Sequence, residues 1–279
     1  MKIMANNCLI TNLKSFVQND NLPIFDTIKI KFKNMPTAGV QFMINPVNGK
    51  EIIFKGSSDV GFDWTSSTSY KNPFVNNRNY NGMQYINSGE EQYIYIEHKY
   101  NIDRFEIEAF RDNYYDSINA YAPVPISFVF NLADFEYCTS IRIINLERCM
   151  VTGNINKLCK LITLNHIALS HGDFYGDIVE LVQGQISNGR TSTDSFTFRL
   201  TTIKDTEGRT NVKFNGKGFP DIGNTAYIGH TVGWDSISKI YIKFGDETNL
   251  YCIGYTDQEI TAKTAAGGEW EGYTVSKRD

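Results

Sequence analysis

No run of like charges, no long apolar stretch, no Cys-x-x-Cys pair and no familiar catalytic signature occurs in these 279 residues. Each absence excludes something. Without charge blocks there is no sign of a disordered polyelectrolyte tail. The net charge of -4 is mild and argues against a nucleic-acid binder, which carries a basic patch or stripe. A membrane-spanning helix needs about 20 consecutive apolar residues, and none is present. Gly-x-Ser-x-Gly and Gly-x-x-x-x-Gly-Lys are both missing, so neither a nucleophile elbow nor a phosphate loop is expected. The five cysteines (Cys8, Cys138, Cys149, Cys159 and Cys252) are odd in number and scattered. They read as buried free thiols, and hence as the product of a reducing compartment. Met1 to Phe16 lacks an apolar core of the signal-peptide kind. The expectation is a protein made in the cytoplasm and kept there, or released by lysis.

Proline is also sparse, at 7 residues, whereas aromatics are plentiful, with 16 Tyr and 18 Phe. Asn, Thr and Ser fill the spaces between apolar runs. That mix favours strands and turns over helices. The most informative stretch repeats itself. With Gly153 placed on Gly176, Ile141 falls on Leu164, Ile144 on Ile167, Leu146 on Leu169, Val151 on Phe174, Ile155 on Ile178 and Leu158 on Leu181, each 23 positions apart. A weaker copy lies one period upstream, where Ile118, Tyr121, Phe128, Leu132 and Phe135 hold the same slots; Pro123 replaces the residue equivalent to Leu146, and Phe130 the glycine. One unit cannot bury its apolar face alone, so neighbours must stack as a short solenoid. The alternative is a pair of amphipathic helices, but β-branched residues over Ile141–Leu146 and glycines at a fixed offset favour strands.

The flanks read as β structure. Thr27 to Lys33 alternates strictly, with lysines on one face. Val40–Ile44 and Glu51–Phe54 follow, and Asn48-Gly49 between them signals a hairpin. Tyr93–Glu97 and Arg104–Phe110 alternate again. Beyond a Gly/Ser/Thr-rich joint at Gln183–Asp194, strands are expected at Ser195–Leu200, Asn211–Phe214, Ile237–Phe244 and Asn249–Gly254. Thr256-Asp257-Gln258-Glu259 is a capping box that opens a short helix. Gly267-Gly268 stops it, and Trp270–Val275 is a last strand. The fold class is mainly β: an N-terminal β-sandwich-like domain over residues 1–115, a short leucine-rich-repeat solenoid over 116–190, and a C-terminal β-rich cap with one short helix over 191–279.

Candidate sites are few. The aromatic residues Trp64, Tyr70, Phe74, Tyr80 and Tyr85 form one candidate interface, since exposed rings favour contact surfaces. The strand face of the repeat, with Ile143, Asn145, Glu147, His166 and Ser170, is the second. His166 and His171, even with Cys159 or Asp173, lack zinc-like spacing. His98 reads as a solvated strand end, and the slot of Cys149 points into the coil. No catalytic residue, metal or cofactor is assigned.

Val151-Thr152-Gly153-Asn154-Ile155 and Phe174-Tyr175-Gly176-Asp177-Ile178 resemble the leucine-rich-repeat family, although Gly172 breaks its Asn/Cys position and no proline follows the Ile. Those motifs resemble virion proteins of phages and prophages of Bacteroidetes, crAss-like phages included. So do Leu22-Pro23-Ile24-Phe25-Asp26-Thr27-Ile28-Lys29-Ile30 and the end from Tyr251 to Ala262 and Thr264 to Gly272. The resemblance implies a structural or host-contact component of the particle: a head fibre, tail appendage or decoration. It also implies a symmetric homo-oligomer whose partners are other virion proteins and a host-surface glycan or protein, without nucleic acid or membrane insertion. A bacterial leucine-rich-repeat surface adhesin is the competing class, and a glycan-active enzyme the third.

Overall fold

A computed structural model describes residues 26–32, 40–56, 92–109, 128–146, 149–169, 173–191, 195–200, 210–219, 228–244 and 248–279. The chain is mainly β. Its strands are β1 Ile28–Phe32, β2 Val40–Pro46, β3 Ile53–Gly56, β4 Gln92–Glu97, β5 Ile102–Ala109, β6 Phe128–Asn131, β7 Ile143–Leu146, β8 Met150–Asn154, β9 His166–Leu169 and β10 Phe174–Asp177. After helix α1 (Ile178–Ser187) come β11 Phe196–Leu200, β12 Thr210–Phe214, β13 Lys217–Gly218, β14 Ile228–Ser236, β15 Lys239–Phe244 and β16 Asn249–Ile253; helix α2 (Asp257–Thr264) and β17 Thr274–Lys277 end the order. Two sheets hold all of them. One runs β13-β12-β10-β8-β6-β1-β4-β3, the other β17-β16-β15-β14-β11-β9-β7-β5-β2.

The centre of both sheets is a parallel coil. The chain visits the sheets alternately through β5/β6, β7/β8, β9/β10 and β11/β12, and successive visits pair in parallel on each side. The two repeats evident in the sequence are the middle two of these four turns. Their predicted inward residues, Ile141, Ile144, Leu146, Leu164, Ile167 and Leu169, are all fully buried. The flanks continue the same sheets in antiparallel fashion, through β2, β3, β4 and β1 on one side and β14, β15 and β16 on the other. Backbone pairing therefore crosses both expected boundaries: Arg104 sits opposite Ile143, and His166 opposite Thr197. One apolar core, from Ile28 to Ile253, lies between the sheets.

Three turns of the coil from the first sheet back to the second open with an Asn or Asp. Asn131 Oδ1 accepts from Ala133 N at 2.9 Å, Asn154 Oδ1 from Asn156 N at 2.9 Å, and Asp177 Oδ1 from Val179 N at 2.8 Å. The first two caps begin 3-10 turns, Leu132–Phe135 and Ile155–Lys160; the third begins α1. The repeat glycines follow from these caps. Gly153 has φ 99°, and a Cβ there would lie 2.7 Å from Asn131 Oδ1. Gly176 has φ 128°, and its Cβ would collide with Asn154 Oδ1. Only glycine fits beside the preceding cap.

Two expectations are corrected. The Asn48-Gly49 turn forms, with Lys50 N donating to Val47 O at 2.9 Å, but β2 and β3 do not pair. They enter different sheets, so the connection is an arch rather than a hairpin. Only Gly49 of the central pair has positive φ, whereas the two-residue hairpin turn signalled by Asn-Gly requires it at both positions. Asn215 and Gly216 both have it, at 51° and 72°, and β12 and β13 do form a hairpin there. The expected joint from Gln183 is helical through Ser187. Ile178, Leu181, Val182 and Gln185 are buried at helical spacing, and Gln185 Nε2 donates to Leu161 O at 3.1 Å. The helix ends in a Schellman motif at Gly189, with Gly189 N on Ile186 O and Arg190 N on Gln185 O, both 3.0 Å.

The C-terminal expectations hold more closely. The capping box at Thr256 and Glu259 is formed, and α2 ends before Gly267-Gly268. Trp270 lies in the following turns rather than in a strand, fully buried against Tyr241 and Tyr255 on the outer side of β15 and β16. Gly233, opposite Tyr241, leaves room for that ring.

Gly176→Ala is expected to destabilise the protein by about 1–3 kcal/mol in chemical denaturation, because it adds both a clash and a left-handed alanine. Gly218→Ala, in open space and without positive φ, serves as the control. Equal stability of the two variants would refute the steric role of the cap ladder.

Candidate functional site

Side chains alternate across a strand, so each buried rung leaves an outward rung beside it. In the nine-stranded sheet, Phe105, Ile144, Ile167, Phe198, His230 and Phe244 are successive cross-strand neighbours facing the core. The outward rung next to it holds Arg104, Ile143, His166, Thr197, Thr231 and Lys243, all half-buried. Of the repeat face named from sequence, Ile143 is paired with His166, and Asn145 with Ala168. Ile143, Asn145 and His166 thus share one outward surface. Glu147 and Ser170 lie outside the described residues, as do Trp64, Tyr70, Phe74, Tyr80 and Tyr85. The surface carries both signs of charge, with Arg104 ion-paired with Glu106. Part of this side of the sheet is closed off: Asn145 and His166 are half-buried and already engaged, and Ala168, opposite Asn145, is fully buried.

His98 is not simply solvated. Its backbone is left-handed, φ 59° and ψ 42°, and its Nδ1 lies 3.1 Å from Asp26 Oδ2 and 3.3 Å from the Tyr100 hydroxyl. Lys99 N also donates to Asp26 O at 2.9 Å. The interaction ties the start of β1 to the turn after β4, across 72 residues. Asp26 carried no sequence signal of this, because its partner is remote.

Asp177 was visible only as part of the repeat motif. Its buried carboxylate accepts from Val179 N, from Asn215 N at 3.0 Å and from Gly216 N at 2.6 Å. It therefore caps α1 and anchors the β12–β13 hairpin at once. Arg190, also missed, is buried with its guanidinium carbon 4.8 Å from the Trp234 ring, while Nη1 donates to Leu164 O at 2.7 Å and Gln185 Oε1 at 2.9 Å. Lys263 reaches from α2 to Asp235 at 3.0 Å and Glu269 at 2.7 Å, with the Trp270 ring 4.9 Å away. Lys239 similarly holds Glu259, whose carboxyl is drawn down to about 2 by that lysine.

Cys138, Cys149 and Cys252 are buried free thiols, and Cys159 is half-buried. Burial pushes the Cys138 thiol up to about 12 and the Cys252 thiol up to about 11, so neither offers a thiolate near neutral pH. Cys149 points into the core, its Sγ 3.5 Å from Ile107 O. Among the described residues, no group of three or more His, Cys, Asp and Glu could hold a metal ion.

His230 is the polar member of an aromatic rung. It is 1% exposed, stacked against Phe219 at 6.5 Å and packed edge-on against Phe244 at 4.8 Å. Burial lowers its imidazole to about 4. The ordinary value is near 6.5. Between those values the folded protein binds fewer protons than the unfolded chain. Its contribution is therefore intact above pH 6.5 and is lost as pH falls toward 4. The loss should approach roughly 3 kcal/mol, and His230→Phe should remove that part of the acid sensitivity. Denaturant titrations of both proteins across pH 6.5 to 4 measure the difference; parallel curves would contradict the assignment.

Compared with protein-family models, curated proteins and solved structures, the chain matches none.

Proposed function

We propose that this chain is a non-enzymatic structural protein of a bacteriophage virion, a head fibre, tail appendage or decoration. In this reading it assembles as a homo-oligomer with other virion proteins. It is made in the host cytoplasm, is released by lysis, and presents an outward face to a host-surface glycan or protein. One observation carries the reading. Among the described residues, the buried side chains with chemical potential are committed to holding the fold: Asp177 to three backbone amides, His230 to an aromatic rung, Arg190 to carbonyls and rings, and Cys138 and Cys252 to the core as protonated thiols. The half-buried outward rung of Arg104, Ile143, His166 and Thr197 along β5, β7, β9 and β11 is the contact strip in this reading.

Light scattering of the purified protein over a wide concentration range tests the assembly. A defined multimer that persists on dilution is expected, and a monomer at every concentration would count against a self-assembling building block. Trp64→Ala, within the stretch assigned to the interface from sequence, is expected to shift the mass toward monomer. An unchanged multimer would remove that stretch from the interface.

A further inference from the structure

The three Asn-Gly pairs that fall among the described residues are held very differently. At Asn215-Gly216, Gly216 N donates to Asp177 Oδ2 at 2.6 Å, and Asn215 Nδ2 donates to Arg278 O at 2.6 Å. At Asn188-Gly189, Gly189 N donates to Ile186 O at 3.0 Å, and Asn188 Nδ2 donates to Gly184 O at 2.7 Å. In both pairs the glycine amide and the asparagine side chain are occupied together. Asn48-Gly49 is the contrast. Both residues are exposed, a Cβ on Gly49 would meet open space, and among the described residues no hydrogen bond engages the Asn48 carboxamide or the Gly49 N–H.

From this we infer that Asn48 is a site of spontaneous, structure-selected deamidation. Base removes the Gly49 amide proton, and the nitrogen attacks Cγ of Asn48. The new N–C bond closes a five-membered imide as the side-chain nitrogen leaves as ammonia. Water then opens the imide at either carbonyl, giving aspartate or isoaspartate at position 48. Water is the one co-reactant and nothing is oxidised. At Asn188 and Asn215 the same attack requires the glycine amide to leave its acceptor and the carboxamide to rotate away from its own.

The position gives the reaction a consequence. Asn48 lies in the arch that carries the chain from β2, the end strand of one sheet, to β3, the end strand of the other. Its product adds a negative charge there, and the isoaspartate form adds one backbone carbon to the turn. The protein would thus acquire an irreversible, time-dependent change at one end of its coil while the cap ladder stays intact.

The test is peptide mapping by mass spectrometry of the full-length protein, incubated folded in mildly alkaline buffer, with a parallel sample in denaturant. In the folded sample the Asn48 peptide should gain about 1 Da more than roughly tenfold faster than the Asn188 and Asn215 peptides, since each of those must first break a hydrogen bond to the attacking nitrogen. In denaturant the three rates should converge, because the local sequence is the same Asn-Gly. Equal rates in the folded protein, or faster loss at Asn188 or Asn215, would overturn the assignment. So would a rate difference that survives denaturation unchanged, since it would not then come from the fold.

Discussion

The coil depends on one steric relation: the cap of each turn occupies the place where the next turn would carry a Cβ. Asn131 lies against Gly153, and Asn154 against Gly176. The cap is needed because the first backbone N–H groups of a helical turn have no partner within it. The glycine is needed because the cap is there. Thus the 23-residue spacing is a geometric requirement as well as a hydrophobic pattern. The ends of the ladder make the same point. Phe130 can occupy the first glycine slot because no such cap stacks beneath it; its neighbour is β1, and its ring packs 5.8 Å from Phe105. At the other end an aspartate replaces asparagine, and its extra charge is met by the two amides of the Asn215-Gly216 turn.

Much of this was legible, for identifiable reasons. Strands with strict alternation, such as Ile28-Lys29-Ile30, declare which face is buried, and the structure buries both isoleucines while Lys29 is exposed. The capping box at Thr256 depends on four adjacent residues and formed as read. Less legible were features whose signal is remote or disguised. Helix α1 carries its buried stripe partly on Gln185, a residue that reads as polar until its amide is seen on Leu161 O and its oxygen beneath Arg190. The turn β5/β6 keeps the Asn131 cap and the weak repeat slots Phe128, Leu132 and Phe135 but has no glycine, and β11/β12 shows no repeat slot, so it is chiefly cross-strand register that reveals them as members of the coil.

Among the described residues, the two Asn-Gly sequences that join strand to strand show why a local motif underdetermines topology. Asn215 accepts positive φ because its backbone N–H is fixed by Asp177 and its side chain by Arg278, and the hairpin closes. Asn48 has no comparable hold. Its chain instead leaves β2 at Pro46, where the pairing with β5 shifts register and Val47 N turns to Asn101 O. Proline has no N–H to continue a ladder, so β2 ends in one sheet and β3 begins in the other. Sheet membership was decided two residues before the turn that seemed to announce it.

The same logic bears on function. A polar group in the core of a two-sheet body must be matched or neutral. Asp177 and Arg190 are matched by backbone and side-chain groups, and the thiols stay protonated. His230 is kept neutral by burial, so that near pH 7 it serves as another ring in the row between Phe198 and Phe244. Groups held this firmly are poorly placed to move protons or meet substrate, since each would have to abandon the interaction that fixes the fold. The outward rung is built differently: Ile143 and His166 stand side by side, with Arg104 and Thr197 beyond them, all half-buried and none part of the cap ladder.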